Sequence, residues 1–182
     1  MGKISFAYQI NGYFVNYGIS KTWLRLTPMV GNFLAYLTTA DMLTLLHIFN
    51  VAVSCGLLIL IWLVQMIVYP GLARIPSNDF VNYHAWYVTR ITMVVLPLMF
   101  CEIIITIAFF FLQDNLFYPT VAVGLVILVW CSTYAFQVPI HKSLRAGKDK
   151  SKIGRLVATN WIRTAAWSLK AVTVVVFAAE SL

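Results

Sequence analysis

The chain has 182 residues, of which 61% are hydrophobic and only 10% charged, with a formal net charge of +7. A soluble domain is nearer half apolar and a quarter charged, so water cannot solvate most of this chain, and an ordinary water-soluble fold is excluded. The basic excess lies in short flanks between apolar runs, which signals membrane topology and argues against a nucleic-acid partner.

The first 41 residues contain no continuous apolar core of the kind a signal peptide needs. Their aromatics, with Lys21, Trp23 and Arg25, predict an arm lying at the membrane interface. Residues 28–40, broken by Pro28 and Gly31, are too short to span. Four longer runs follow, near 42–70, 89–113, 117–139 and 157–179. Each is longer than the 20 or so residues that cross roughly 30 Å of hydrocarbon. The expected fold is all-α, a polytopic membrane four-helix bundle over 42–182.

The loops give an orientation. Between the third and fourth runs lie Lys142, Arg145, Lys148, Lys150, Lys152 and Arg155 against only Asp149. Arg74 and Arg90 flank the connection from the first run to the second, whereas "QDNLFYP" between the second and third has no basic residue. The positive-inside rule places both basic loops in the cytoplasm and both termini outside, as for a protein of a bacterial cytoplasmic membrane.

Gly56 to Trp62, "GLLILIW", recurs as "GLVILVW" from Gly124 to Trp130, and each run leads to a proline. This predicts a duplicated two-helix hairpin, 42–113 and 117–179, with a pseudo-twofold axis along the membrane normal. Chance similarity between aliphatic runs is the competing explanation.

Polar residues show which face of each helix turns inward, because lipid provides no apolar force between helices. In the first run His47, Asn50, Ser54, Gln65 and Tyr69 share a stripe, His47 and Gln65 lying about five turns apart. Trp130, Thr133, Gln137 and His141 form a second stripe, and Asn160, Arg163, Trp167, Lys170 and Thr173 a third. Hydrogen bonding between helices would account for the Ser, Thr and Asn among them.

Two layers result. Gln65, Tyr69, Arg90, Gln137, Asn160 and Arg163 form a cytoplasm-side layer with His84 and His141. Guanidinium groups there suit an anionic or carbonyl-bearing ligand, or else reach lipid phosphates. Trp130, Trp161 and Trp167 are candidates to pack the rings of such a ligand. With Arg90 and Arg163 level, Glu102 lies about 18 Å deeper and Lys170 about 10 Å deeper. Intramembrane ionisable groups mark functional sites or structural ion pairs.

Six scattered acidic residues do not make a carboxylate-rich di-iron site. Cys55, Cys101 and Cys131 lie inside spans without a CxxC motif and are expected to be small buried hydrophobes. Neither a phosphate-binding glycine loop nor an HExxH motif is present. The sequence requires no cofactor. His84 and His141 are the pair that could ligate haem or another metal, with ordinary interfacial histidine as the alternative.

"VQMIVYPGL", "YHAWYVTRI" and "TNWIRTAAW" resemble the anthrone-oxygenase-like group of small four-helix integral membrane proteins, over about residues 43–178. The resemblance touches Tyr69, Arg90, Asn160, Trp161 and Arg163. It implies an aromatic or quinone-like substrate, oxidised without a bound metal. The N-terminal arm and the strongly basic second cytoplasmic loop depart from the group's pattern. The leading expectation is a membrane protein binding a hydrophobic aromatic or quinone-like ligand in its bundle, as an oxidoreductase or oxygenase. The alternatives are a non-catalytic subunit of a larger membrane complex, or a small transporter or proton conductor using Glu102 and Lys170. Partners would be the bilayer, other membrane subunits or further copies of the chain.

Overall fold

A computed structural model describes residues 7–10, 13–16 and 39–181. The chain divides into two units, Met1–Leu43 and Thr44–Leu182. In the first, strands β1 (Ala7–Ile10) and β2 (Tyr13–Asn16) pair antiparallel, from Ala7 opposite Asn16 to Ile10 opposite Tyr13. Asn11-Gly12 separates the strands, and Asn-Gly between β-prone residues is a strong hairpin signal. Part of the arm is therefore a hairpin. Its expected place at the membrane interface, with Lys21, Trp23 and Arg25, falls outside the described residues, and so does the reading of residues 28–40 as too broken to span, except that 39–40 begin the first helix.

The second unit is helical. α1 (Thr39–Leu63) runs into a π-helical segment, Val64–Val68, and then α2 (Tyr69–Leu72). α3 is Ser77–Leu112. α4 (Phe117–Ser132) leads through a second π segment, Thr133–Gln137, into α5 (Val138–Leu144). α6 is Lys150–Ser181. Four helical stretches are long and apolar enough to cross a membrane: Met42–Leu72, Ser77–Leu112, Phe117–Leu144 and Lys150–Glu180. The chain is an integral membrane four-helix bundle.

The second and fourth spans begin well before the expected residues 89 and 157. Ser77–Tyr87 and Lys150–Leu156 carry enough polar side chains to fall below a hydropathy threshold, yet they continue their helices. Asp149 caps the start of α6, accepting from the amides of Ser151 at 2.9 Å and Lys152 at 3.1 Å. These amides, Lys152 first, hold its carboxyl below the usual range. Lys148 Nζ donates to the Ile75 carbonyl and ties the two basic loops together.

Both π segments end just before a proline at the second position of the next α-helix, Pro70 and Pro139. Proline has no N–H, and its ring crowds the carbonyl of the preceding turn, so an α-helix cannot run through undisturbed. One extra residue per turn absorbs the conflict. Pro97 interrupts α3 without such a segment.

The distribution of polarity is inverted relative to a soluble bundle. The first three spans have hydropathies of 2.6, 2.5 and 1.9 and are about one-third buried by protein, whereas the fourth has 1.4 and is half buried. The least apolar helix is thus the one most shielded from lipid. Ile59, Met66, Met93, Ile104, Phe111 and Val172 are among the many large apolar side chains facing outward. Leu57, Ile61, Val129, Leu144, Leu156 and Trp167 form part of the interior.

Candidate functional site

The predicted stripes converge. His47, Asn50, Ser54, Gln65 and Tyr69 are all buried, as are Asn160, Arg163, Trp167 and Lys170 of the fourth span. Thr173 is half-buried and returns its hydroxyl to the Leu169 carbonyl at 2.9 Å.

A hydrogen-bonded knot joins the first and fourth spans. Asn160 Nδ2 donates to Gln65 Oε1 at 2.8 Å, Gln65 Nε2 donates to the Val157 carbonyl at 3.2 Å, and Arg163 donates to Asn160 Oδ1 at 3.2 Å. Such bonds between membrane helices contribute about 0.6 kcal/mol each on average. Their larger effect here is to fix the position of Arg163. Its guanidinium also interacts with the Tyr69 hydroxyl and lies 4.9 Å over the Trp167 ring.

Beside this knot is a cavity of about 420 Å³. Apolar residues such as Leu60, Val64, Ile91, Val95 and Met99 make most of its wall. Tyr69, Tyr87, Gln137, His141 and Arg163 supply a polar end, with Lys142 and Arg145 beside them. Thr92, Leu96, Tyr134 and Val138 also line the cavity and are exposed on the outside of the bundle. The cavity is therefore a cleft that opens sideways between the second and third spans.

Three buried polar atoms on lining residues have no hydrogen-bond partner: Trp130 Nε1, Gln137 Oε1 and Arg163 Nε. Gln137 uses its amide nitrogen on Thr159 Oγ1 at 3.2 Å, which leaves the oxygen unpaired. Buried groups normally find partners, so three unpaired ones on residues that border one cavity are a departure from the usual accounting, although the atoms themselves are closed off from the cavity. Two are donors and one is an acceptor.

Not every expected residue belongs to the site. Arg90 is exposed and does not line the cleft. It lies six residues past buried His84, about 120° around the helix, whereas Glu102 is eighteen past and returns to the same face. Trp161 is 47% exposed, packs edge-on against Trp62 at 5.7 Å and does not line the cleft. Trp167 is occupied by Glu102, while Trp130 lines the cleft. Gln65 and Asn160 stand behind the wall and brace Arg163. Tyr87, Lys142 and Arg145 join the site. Tyr87 went unmarked in the sequence: its spacing from His84, three residues along one face, is the available signal, but a phenol among many aromatics gives little alone.

His84 Nε2 and His141 Nδ1 are 3.0 Å apart, and His141 Nε2 is 3.3 Å from Tyr69 Oη. The first distance is a hydrogen bond. Metal–nitrogen bonds are about 2.0 Å, so axial ligation across one metal would need the nitrogens about 4 Å apart. These histidines do not fit a bis-histidine haem. Among the described residues no group of three or more His, Cys, Asp or Glu is arranged to hold a metal.

The deeper layer is an ion pair. Lys170 Nζ lies 3.2 Å from Glu102 Oε1 and donates to Ser54 Oγ at 2.9 Å, while Trp167 Nε1 donates to Glu102 Oε2 at 3.0 Å. Both charged residues are at most 1% exposed. The cysteines are unpaired, but Cys131 is exposed and Cys55 and Cys101 are half-buried, which corrects the expectation of fully buried positions.

No family model matches the chain, and comparison with curated proteins and with solved structures finds no match.

Proposed function

We propose that the protein binds a hydrophobic aromatic or quinone-like molecule in the cleft between its second and third spans. The observation that carries this reading is a mostly apolar cavity of about 420 Å³ with a polar end built from Tyr69, Tyr87, Gln137, His141 and Arg163. An apolar body would occupy the wall of Leu60, Val64, Ile91 and Met99, and a polar head would meet Arg163, Gln137, Tyr69 and Tyr87. The resemblance to the anthrone-oxygenase-like group points to the same ligand class, and its oxidation is the chemistry that resemblance suggests.

The basic loops support an orientation with those loops in the cytoplasm of a bacterial cell and the termini outside. The paired π segments, each ahead of a proline, support duplication of a two-helix hairpin. The Gly56 and Gly124 match adds little to this, since a Cβ at either would meet nothing within 4 Å.

Mass spectrometry of material purified gently from native membranes tests the binding reading. Arg163→Gln should lower retention of a co-purifying hydrophobic ligand about thirtyfold, the equivalent of losing a charge-assisted contact of ~2 kcal/mol. Arg90→Gln, on the exposed face, should retain it in full. An Arg163→Gln protein that folds and keeps the same ligand complement would refute the assignment.

A further inference from the structure

The charge at the polar end of the cleft has no counterpart in the protein. Arg163, Lys142 and Arg145 all line the cleft, and no Asp or Glu among the described residues does. Lys142 and Arg145 are exposed at the end of α5, and their place in a basic loop accounts for them. Arg163 is a different case. It is 6% exposed, and its partners are neutral: Asn160, the Tyr69 hydroxyl and the Trp167 ring. Glu102, a buried acid of the same bundle, is engaged by Lys170 and Trp167 instead. Buried charges are ordinarily paired with an opposite charge, because an ion taken out of water is otherwise left undercompensated.

We propose that the guest of the cleft supplies the opposite charge: it is an anion, an apolar body ending in a carboxylate, an ionised phenol or a phosphate that meets Arg163. This rests on the binding reading above and adds to it the charge of the head.

The rest of the polar end suits an oxyanion. The Tyr87 hydroxyl lies within electrostatic reach of Arg163 and makes no hydrogen bond among the described residues, yet it is not one of the atoms closed off by packing. Tyr87 borders the cleft, so this O–H is a donor open to a guest. Tyr69 Oη stands beside it, between Arg163 and His141 Nε2 at 3.3 Å. Charge-assisted bonds from such donors to an oxyanion are roughly twice as strong as bonds to a neutral carbonyl. Lys142 and Arg145 add a field of the same sign at the rim, which gathers anions and repels cations. The wall of Leu60, Val64, Ile91 and Met99 excludes an ion that is all charge and calls for an apolar body behind the head. That head can belong to a free amphiphilic acid or to a membrane lipid, whose phosphate would reach the same arginine.

Two fluorescent probes with the same rings and nearly the same size test the charge: an anthracene carboxylate and the corresponding neutral carboxamide. Each is equilibrated with the full chain in phosphatidylcholine vesicles, and its free level is expressed as a mole fraction in the lipid so that unequal partition cancels. The carboxylate should bind about tenfold more tightly than the carboxamide, or better. Arg163→Gln should remove most of that preference and leave the carboxamide the less affected of the two. Lys142→Gln combined with Arg145→Gln, on the exposed rim, should reduce the preference and decides the matter if Arg163→Gln does not fold. Adding phosphatidylglycerol separates the sources: displacement of the carboxylate points to a lipid phosphate, its retention points to a free acid, and the preference for an anion stands in both. Equal binding of the two probes would overturn the proposal while leaving the cleft as a binding site. So would a preference undiminished in folded Arg163→Gln, or in the rim variant where that protein does not fold. If neither probe binds the parent, the binding reading falls and this proposal with it.

Discussion

Lys170 and Glu102 illustrate how burial changes what one side chain is worth. Each charge is satisfied by the other and by one neutral donor or acceptor, Ser54 for the lysine and Trp167 for the glutamate. Removing one partner leaves the other charge uncompensated, which costs about 3–5 kcal/mol in buried pairs, whereas replacing both with apolar residues is often neutral. Glu102→Met and Lys170→Met should each lower thermal stability in detergent by an amount in that range, and the double variant should recover most of it. Equal losses in single and double variants would mean that the pair is not coupled. Both residues were visible in the sequence as the ionisable groups deepest in their spans. Their contact was one of the readings open there, since a lysine side chain is long enough to close much of the depth gap, and the structure shows the pair. Arg90 was misassigned. Its level with Arg163 placed it in the layer, but its angle on the helix determined its exposure.

At the scale of the element, the π segments account for a register that α-helical spacing only approximates. Gln65 and Tyr69 both face inward although a π turn lies between them. A π bulge is one residue more than the α-helix needs, so removing one should leave the flanking faces in phase. Deleting exposed Met66 should give a protein that still folds. Deleting Ile59, equally outward-facing but inside α1, should turn the two sides of the helix by about 100° relative to each other and abolish folding. Size-exclusion elution and thermal melting distinguish these outcomes, and equal tolerance of both deletions would count against the bulge explanation. A second local device is the Asp149 cap. Its lowered pKa means that this contribution to stability is present above the carboxyl's unfolded pKa and is lost as pH falls through the folded value. Asp149→Asn should therefore reduce the loss of helix at the start of α6 on acidification, followed by hydrogen exchange at Ser151 and Lys152. The sequence showed the prolines but could not show that the chain would bulge before Pro70 and Pro139 and not before Pro97.

For the whole molecule, composition and run length were enough to give four spans, because the need to satisfy backbone groups in lipid leaves few alternatives to a helix. The cleft was less legible, since it depends on where side chains leave space and not on which residues are present. Labelling tests the proposed topology. In a chain with Cys55, Cys101 and Cys131 replaced, a cysteine introduced at Lys150 should resist membrane-impermeant reagent applied to the outer face of intact cells, and ready labelling would reverse the orientation. The proposed duplication requires that residues 42–113 superpose on 117–179 by a rotation about the membrane normal. A superposition without that relation would end it.

The sideways opening of the cleft has a consequence for how occupancy is governed. Thr92, Leu96, Tyr134 and Val138 border an entrance that faces acyl chains. A guest arriving that way is drawn from the bilayer as a two-dimensional solvent, so its effective concentration is its mole fraction among lipids. Diluting a vesicle suspension with buffer should then leave the site filled, while fusing the vesicles with empty lipid at constant total volume should empty it.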